Sequence, residues 1–135
     1  GGVSFINDSK ATNVGAAVSA ISGLATGKNI ILIAGGEAKG QSFEALNKAV
    51  KETCKQVILI GAATTEIAEN LPSETAVVFA DSMDAAVEMG ASLAKSGDVV
   101  LLSPACASFD MFDNYQQRGD SFREAVLRLS DEVVS

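Results

Sequence analysis

Residues 29–34 read NIILIA. Ile30 to Ile33 form a continuous apolar run of mostly β-branched side chains, with no alternation between dry and wet faces. Such a run belongs to a strand buried on both faces, as in a parallel sheet covered by helices. Val57 to Ile60 in QVILIG and Val99 to Leu102 in DVVLL read the same way. Two further β-rich runs are VSFI (3–6) and AVVFA (76–80). Helical patterns separate them: NVGAAVSAISGLA (13–25), SFEALNKAVKET (42–53), TTEIAENL (64–71) and SMDAAVEMGASLAKS (82–96), with DSFREAVLRLSDEVV (120–134) at the end. The regular alternation predicts an α/β domain. Its core is an open, mostly parallel, Rossmann-like sheet with right-handed crossovers and helices on both faces.

The chain has 135 residues, 47% of them hydrophobic. That suits one globular domain with its own core. No linker, repeat or low-complexity stretch divides it, and no apolar run approaches the ~20 residues of a membrane span. Pro72 punctuates a helix-to-strand loop and Pro104 follows a strand end. The first residues, GGVSFINDSK, show neither a signal-peptide pattern nor an initiator Met, so a fragment of a longer chain is expected. Seventeen acidic against ten basic residues give a net charge of −7. This balance argues against a nucleic-acid backbone as partner and is otherwise what solubility asks for. There is no histidine, so no His-based triad, acid–base pair or zinc site can be built from this chain. Cys54 and Cys106, without a secretion signal, make poor grounds for a disulfide. Cys106 has no partner to lower its pKa and reads as a small packing residue.

In open parallel sheets, ligands bind beyond the carboxyl ends of the strands. The five segments there are NDSKATN (7–13), GGEAKGQS (35–42), GAATT (61–65), DSMD (81–84) and SPACASFDMFDNYQQRG (103–119). The first, second and fifth are richest in groups that grip ligands. In NDSKATN, Thr12 or Asn13 serves as an N-cap for the helix beginning at Val14. Asp8 and Lys10 have no part in capping, and the residues leave open an anion site or a solvated turn.

GGEAKG departs from the phosphate-loop pattern GxxxxGK[ST], because Lys39 precedes Gly40, and it is not GxGxxG either. Gly35 and Gly36 are read as permitting a tight turn. Lys39 is the second lysine on this rim of an acidic chain, which points weakly to an anionic ligand such as a dicarboxylate. In the fifth segment, Ser103 and Ser108 could simply satisfy local backbone groups.

Together, NDSKATN, LIAGGEAKG and SPACASFDMF followed by NY and QRG resemble the C-terminal domain of the Mur ligase family, and within it the ligases that add D-glutamate. The most specific piece is SPACASFD with the later aromatic-x-x-Arg-Gly stretch, whereas folylpolyglutamate synthetase has a segment similar to NDSKATN. The resemblance covers residues 1–135 as one amino-acid-binding domain, a fragment of a longer three-domain enzyme.

The resemblance implies a cytoplasmic, ATP-dependent ligase of peptidoglycan synthesis. ATP phosphorylates the carboxylate of UDP-N-acetylmuramoyl-L-alanine to an acyl phosphate. The D-glutamate amine attacks, and the tetrahedral intermediate collapses to amide and phosphate. The UDP-sugar sits on an N-terminal domain, and ATP and Mg2+ mainly on a central one, so this chain alone is expected to be inactive. Carried over to this sequence, Asp8 lies near the nucleotide ribose. Lys10 lies near the transferring phosphate and acts on the developing charge. Thr12 and Lys39 hold one carboxylate of D-glutamate, and Ser108, with backbone N–H groups around Phe109 and Tyr115, holds the other. The aromatics make the pocket dry and rigid. No metal ligand is assigned to this chain. Tyr115 stands where the family often has Phe, and Glu37 where a shorter acid is common. Alternatives are a stand-alone Rossmann-like small-molecule binding module, a folylpolyglutamate synthetase-like ligase domain, and a purely structural or interaction domain.

Overall fold

The computed structural model describes residues 2–134, with side chains through residue 129 at the C-terminal end. Five strands, β1 (Ser4–Asn7), β2 (Ile30–Gly35), β3 (Cys54–Ile60), β4 (Val77–Phe79) and β5 (Val99–Leu102), alternate with α1 (Val14–Leu24), α2 (Glu44–Thr53), α3 (Thr64–Asn70) and α4 (Met83–Leu93). The long helix α5 (Tyr115–Val134) closes the chain. The strands form one sheet in the order β1-β5-β2-β3-β4, and every pairing is parallel.

The runs without alternation are the interior strands. Every residue of β2 is buried, as is most of β3 and β5, whereas edge strands β1 and β4 keep partly exposed positions. Successive strand side chains go to opposite faces. Ile30, Leu32, Val57, Leu59 and Leu101 pack with Val14, Ala17 and Ile21 of α1, Leu46 and Val50 of α2 and Ile67 of α3. Ile31, Ile33, Ile58, Ile60, Val100 and Leu102 pack with Met83, Ala86 and Val87 of α4 and Phe122 and Ala125 of α5. The distribution of helices follows from the crossover rule. The steps β1 to β2, β2 to β3 and β3 to β4 move one way across the sheet. Right-handed crossovers therefore put α1, α2 and α3 on one face. The return from β4 to β5 runs backward, which puts α4 on the other.

This return fixes the place of the site. β5 inserts between β1 and β2. The connections leaving β1 and β2 go to the face of α1 and α2, while the one leaving β5 goes to the face of α5. The neighbouring connections part on both sides of β5, and such reversals open ligand crevices at the carboxyl ends of strands. A further reversal lies between β3 and β4, where the rim segments are the less polar GAATT and the short DSMD.

The opposite end of the sheet is closed. A bulge between β2 and β3 skips Lys55, as extra residues in bulges do when they re-aim a side chain. Lys55 Nζ reaches Asp98 Oδ2 at 2.8 Å, and the same oxygen accepts from the Lys95 amide at 2.8 Å. Burial pushes the Asp98 carboxyl up, but these hydrogen bonds and the lysine charges outweigh it and hold the group below the usual carboxylate range.

One element differs from the sequence reading. The final helix starts at Tyr115 rather than Asp120, so the polar, aromatic connection after β5 ends at Asn114. Asn114 Oδ1 accepts from the Gln117 amide at 2.7 Å, and Gln117 Oε1 accepts from the Asp113 amide at 2.7 Å. These reciprocal bonds satisfy free donors at the helix start, much as in a capping box. Gly119 obscured the start because glycine is a weak helix former. Its presence has a packing reason: a Cβ there would lie 2.8 Å from Asn7 Nδ2 and 3.3 Å from Ser9 Cβ.

Candidate functional site

The two crevices flanking β5 are walled by residues 7–13 after β1, 35–42 after β2 and 103–114 after β5. Backbone hydrogen bonds lace these segments together. The Asp8 amide donates to Leu102 O at 2.8 Å, the Gly35 amide to Pro104 O at 3.0 Å and the Ala105 amide to Ala11 O at 3.0 Å. Glu37 and Ala107 form an isolated antiparallel bridge, with the Glu37 amide 2.9 Å from Ala107 O and the Ala107 amide 3.1 Å from Glu37 O. This bridge sets the Lys39 and Ser108 segments side by side. Asp110 ties in the segment after β3, its Oδ2 accepting from the Ala62 amide at 2.8 Å.

Each candidate residue has a definite place. Asp8 is half-buried, and its Oδ2 accepts from the Ser103 hydroxyl at 3.3 Å. Lys10 is exposed and lines two clefts. One, of about 240 Å³, lies against Tyr115, Gln116 and Asp120, and the other, of about 500 Å³, against Asp8 and the first turns of α1. Thr12, Lys39 and Ser108 line neither cleft. Thr12 is half-buried and leaves capping to Asn13, whose Oδ1 accepts from the Ala16 amide at 2.9 Å. Lys39 is exposed, 3.8 Å from Glu37 Oε1, with its Nζ 5.7 Å from the centroid of the Phe109 ring. That distance is within reach of a cation–π attraction. Ser108 is buried, and its carbonyl accepts from the Met111 and Phe112 amides. No hydrogen bond from its hydroxyl is found among the described residues.

Two expectations are revised by this geometry. The N-terminus of α1 is largely satisfied from within: besides Ala16, the Val14 amide donates to Gln41 Oε1 at 3.0 Å. An anion reading of residues 7–13 therefore rests on the Lys10 side chain rather than on free helix N–H groups. The aromatics also do not form a dry lining within this chain. Phe109 is 64% exposed and Tyr115 41% exposed, while Phe112 packs onto the core beside α5.

Two residues given no role in the sequence reading organise the rim. Gln41, besides holding the Val14 amide, donates from Nε2 to Ala105 O at 2.6 Å. Arg118 is 1% exposed. Its Nε donates to Ser9 Oγ at 2.9 Å, Nη2 to Ser9 O at 2.7 Å and Nη1 to Cys106 O at 2.9 Å. Ser9 in turn donates its hydroxyl to Tyr115 O at 2.6 Å. Burial lowers the Arg118 pKa to about 10, which leaves it cationic at neutral pH. Cys106 is fully buried beside it, and burial pushes the thiol up to about 12, far from a reactive thiolate. The QRG triplet was the one available signal for Arg118.

Comparison with known proteins bears directly on this rim. A family described as "Mur ligase, glutamate ligase domain" matches residues 1–106. The chain belongs to this family. The match includes Asp8, Lys10, Thr12 and Lys39 and stops before Ser108. Matches to curated relatives run further along this Mur ligase domain. A UDP-N-acetylmuramoylalanine--D-glutamate ligase of Pseudomonas savastanoi pv. phaseolicola is 52% identical over 132 residues, 96% of this chain and 29% of the relative. Proteins of that name from Saccharophagus degradans (51% over 130 residues, 96% of this chain, 28% of the relative) and Coxiella burnetii (52% over 129 residues, 94% and 29%) are similar. The chain thus spans less than a third of the length of these relatives.

Proposed function

We propose that this Mur ligase domain presents D-glutamate to an acyl phosphate formed elsewhere in a longer, three-domain ligase of peptidoglycan synthesis. The Glu37–Ala107 bridge carries the reading. It sets the segments that carry Lys39 and Ser108 side by side after β2 and β5, with Lys10 on the segment after β1. D-glutamate has two carboxylates, and charge-assisted hydrogen bonds to carboxylates are among the strong ones. Lys39 and Thr12 hold one carboxylate. The Ser108 hydroxyl and the N–H groups near Phe109 and Tyr115 hold the other. This orients the amine toward the acyl carbon. Lys10 stabilises negative charge as the phosphate leaves, and Asp8 contacts the nucleotide ribose. The relatives' name supports this reading over that of a folylpolyglutamate synthetase-like ligase domain.

Phe109 and Tyr115 are exposed here, so we assign the dry wall to the central domain, which closes against this rim around ATP. UDP-N-acetylmuramoyl-L-alanine then docks on the N-terminal domain. Among the described residues no three acids or cysteines group to hold a metal ion. Asp8 is engaged by Ser103 and Asp110 by the Ala62 amide. We leave Mg2+ mainly with ATP on the central domain, and no step is routed through it here. Among the described residues no helix is long and apolar enough to cross a membrane.

Lys39→Ala in the full-length ligase tests the clamp. A lost hydrogen bond to a charged group costs ~1.5–3 kcal/mol. The expected result is a roughly ten- to two-hundred-fold lower kcat/KM for D-glutamate, with the KM values for ATP and the UDP-sugar nearly unmoved. An unchanged D-glutamate KM contradicts the assignment and leaves Lys39 as a solvated rim charge.

A further inference from the structure

Arg118 is the largest fully buried side chain among the described residues, and it holds three neutral acceptors. Among the described residues no carboxylate lies within ion-pair distance of it. Burying a cation without a counter-charge is costly, and an apolar side chain of similar volume commonly serves such a position as well or better. The arginine therefore needs a reason beyond filling space. Its planar fork supplies one, because a guanidinium can satisfy acceptors from separate segments in fixed geometry and an ammonium cannot. Here the fork grips Ser9, immediately before Lys10, and Cys106, two residues before Ser108.

We infer that Arg118 is a positioning residue that locks the Lys10 segment to the Ser108 segment across the mouth of β5, so that charge stabilisation and D-glutamate capture depend on it together. This rests on the D-glutamate ligase reading above. Arg118 has no substrate contact in this role. It fixes where two contacting groups stand, and a misplacement of about 1 Å can cost on the order of a hundredfold in rate.

The test uses Arg118→Lys, which keeps the charge and removes the fork, in the full-length ligase and in the 135-residue chain. In the ligase, kcat/KM for D-glutamate is expected to fall about tenfold or more, with both kcat and KM affected. In a Lys10→Ala background the same change is expected to lower kcat less than about threefold, because the group it positions is gone. A loss below threefold in the otherwise unaltered enzyme, or an equal loss in both backgrounds, overturns the inference. In the chain, the Ala11 and Ala105 amides, bonded to Asp8 O and Ala11 O, are expected to exchange hydrogen at least about tenfold faster. The Val57 and Ile58 amides are expected to keep their rates. Unchanged exchange at Ala11 and Ala105 overturns the coupling. This arm decides it even if the unaltered enzyme fails to ligate D-glutamate, an outcome that removes only the functional reading. Should Arg118→Lys not fold, Ser9→Ala removes one of the three acceptors. It is expected to speed exchange at the same two amides, and no change there overturns the inference.

Discussion

Replacing Lys10 by alanine in the full-length ligase is expected to lower kcat by roughly 10²–10³-fold, the usual loss when one preorganised charge-stabilising group is removed. Lys10 is exposed on a ridge between two clefts and forms no ion pair among the described residues. In the role proposed for it, this charge faces the transferring phosphate. Interactions made mainly in the transition state raise kcat rather than ground-state affinity. The D-glutamate KM is therefore expected to move less than about threefold, the reverse of the Lys39→Ala pattern. An exposed side chain without partners contributes within about ±0.5 kcal/mol to folding. The variant should thus unfold at the same urea concentration as the parent, separating a catalytic loss from a folding one. A kcat within threefold of the parent contradicts the role given to Lys10.

Gly36→Ala is expected to cost the isolated chain ~3–4 kcal/mol in urea unfolding, summing backbone strain and lost bridge hydrogen bonds. Gly36 has φ +140°, in the region that favours glycine, and a Cβ there would lie 2.2 Å from Ala107 O. That oxygen accepts from the Glu37 amide. The added methyl meets backbone, which cannot swing aside, and forces the bridge apart. Gly40 is the control. Its φ is +73°, but a Cβ there meets nothing within 4 Å, so Gly40→Ala is expected to cost only ~1 kcal/mol of strain. Equal losses at the two positions contradict the idea that the bridge holds the rim together.

The interior of the sheet was legible because β2, β3 and β5 are buried on both faces, and short apolar runs rich in β-branched residues between helical patterns read as such strands. The order of strands was not legible. Nothing in residues 81–98 says that the return from β4 passes β3 and β2 and inserts before β1. That insertion turns three polar segments into the walls of two crevices. The roles given to Asp8, Lys10, Thr12, Lys39 and Ser108 came from the family resemblance; by residue type alone, the two rim lysines pointed only to an anionic ligand. Arg118 was invisible as an organiser because its acceptors are backbone and hydroxyl oxygens, two of them 109 positions away. Neutral partners leave no charge pattern to read. The exposure of Phe109 and Tyr115 was hidden for the opposite reason: aromatics in a loop read as packing, whereas here they face outward from this domain.

The central claim is that the rim around β5 takes D-glutamate. Titration of the isotopically labelled 135-residue chain with D-glutamate, followed by NMR, tests it most directly. Without the other domains, water competes at the open crevice, and the dissociation constant is expected to be on the order of millimolar or weaker, about −4 kcal/mol or less in binding free energy. The account predicts amide shifts centred on Lys39 and Ser108 and extending to Thr12, with smaller shifts for L-glutamate at equal concentration. Shifts confined to the outer surfaces of α2 and α4, with the rim unmoved, would contradict it.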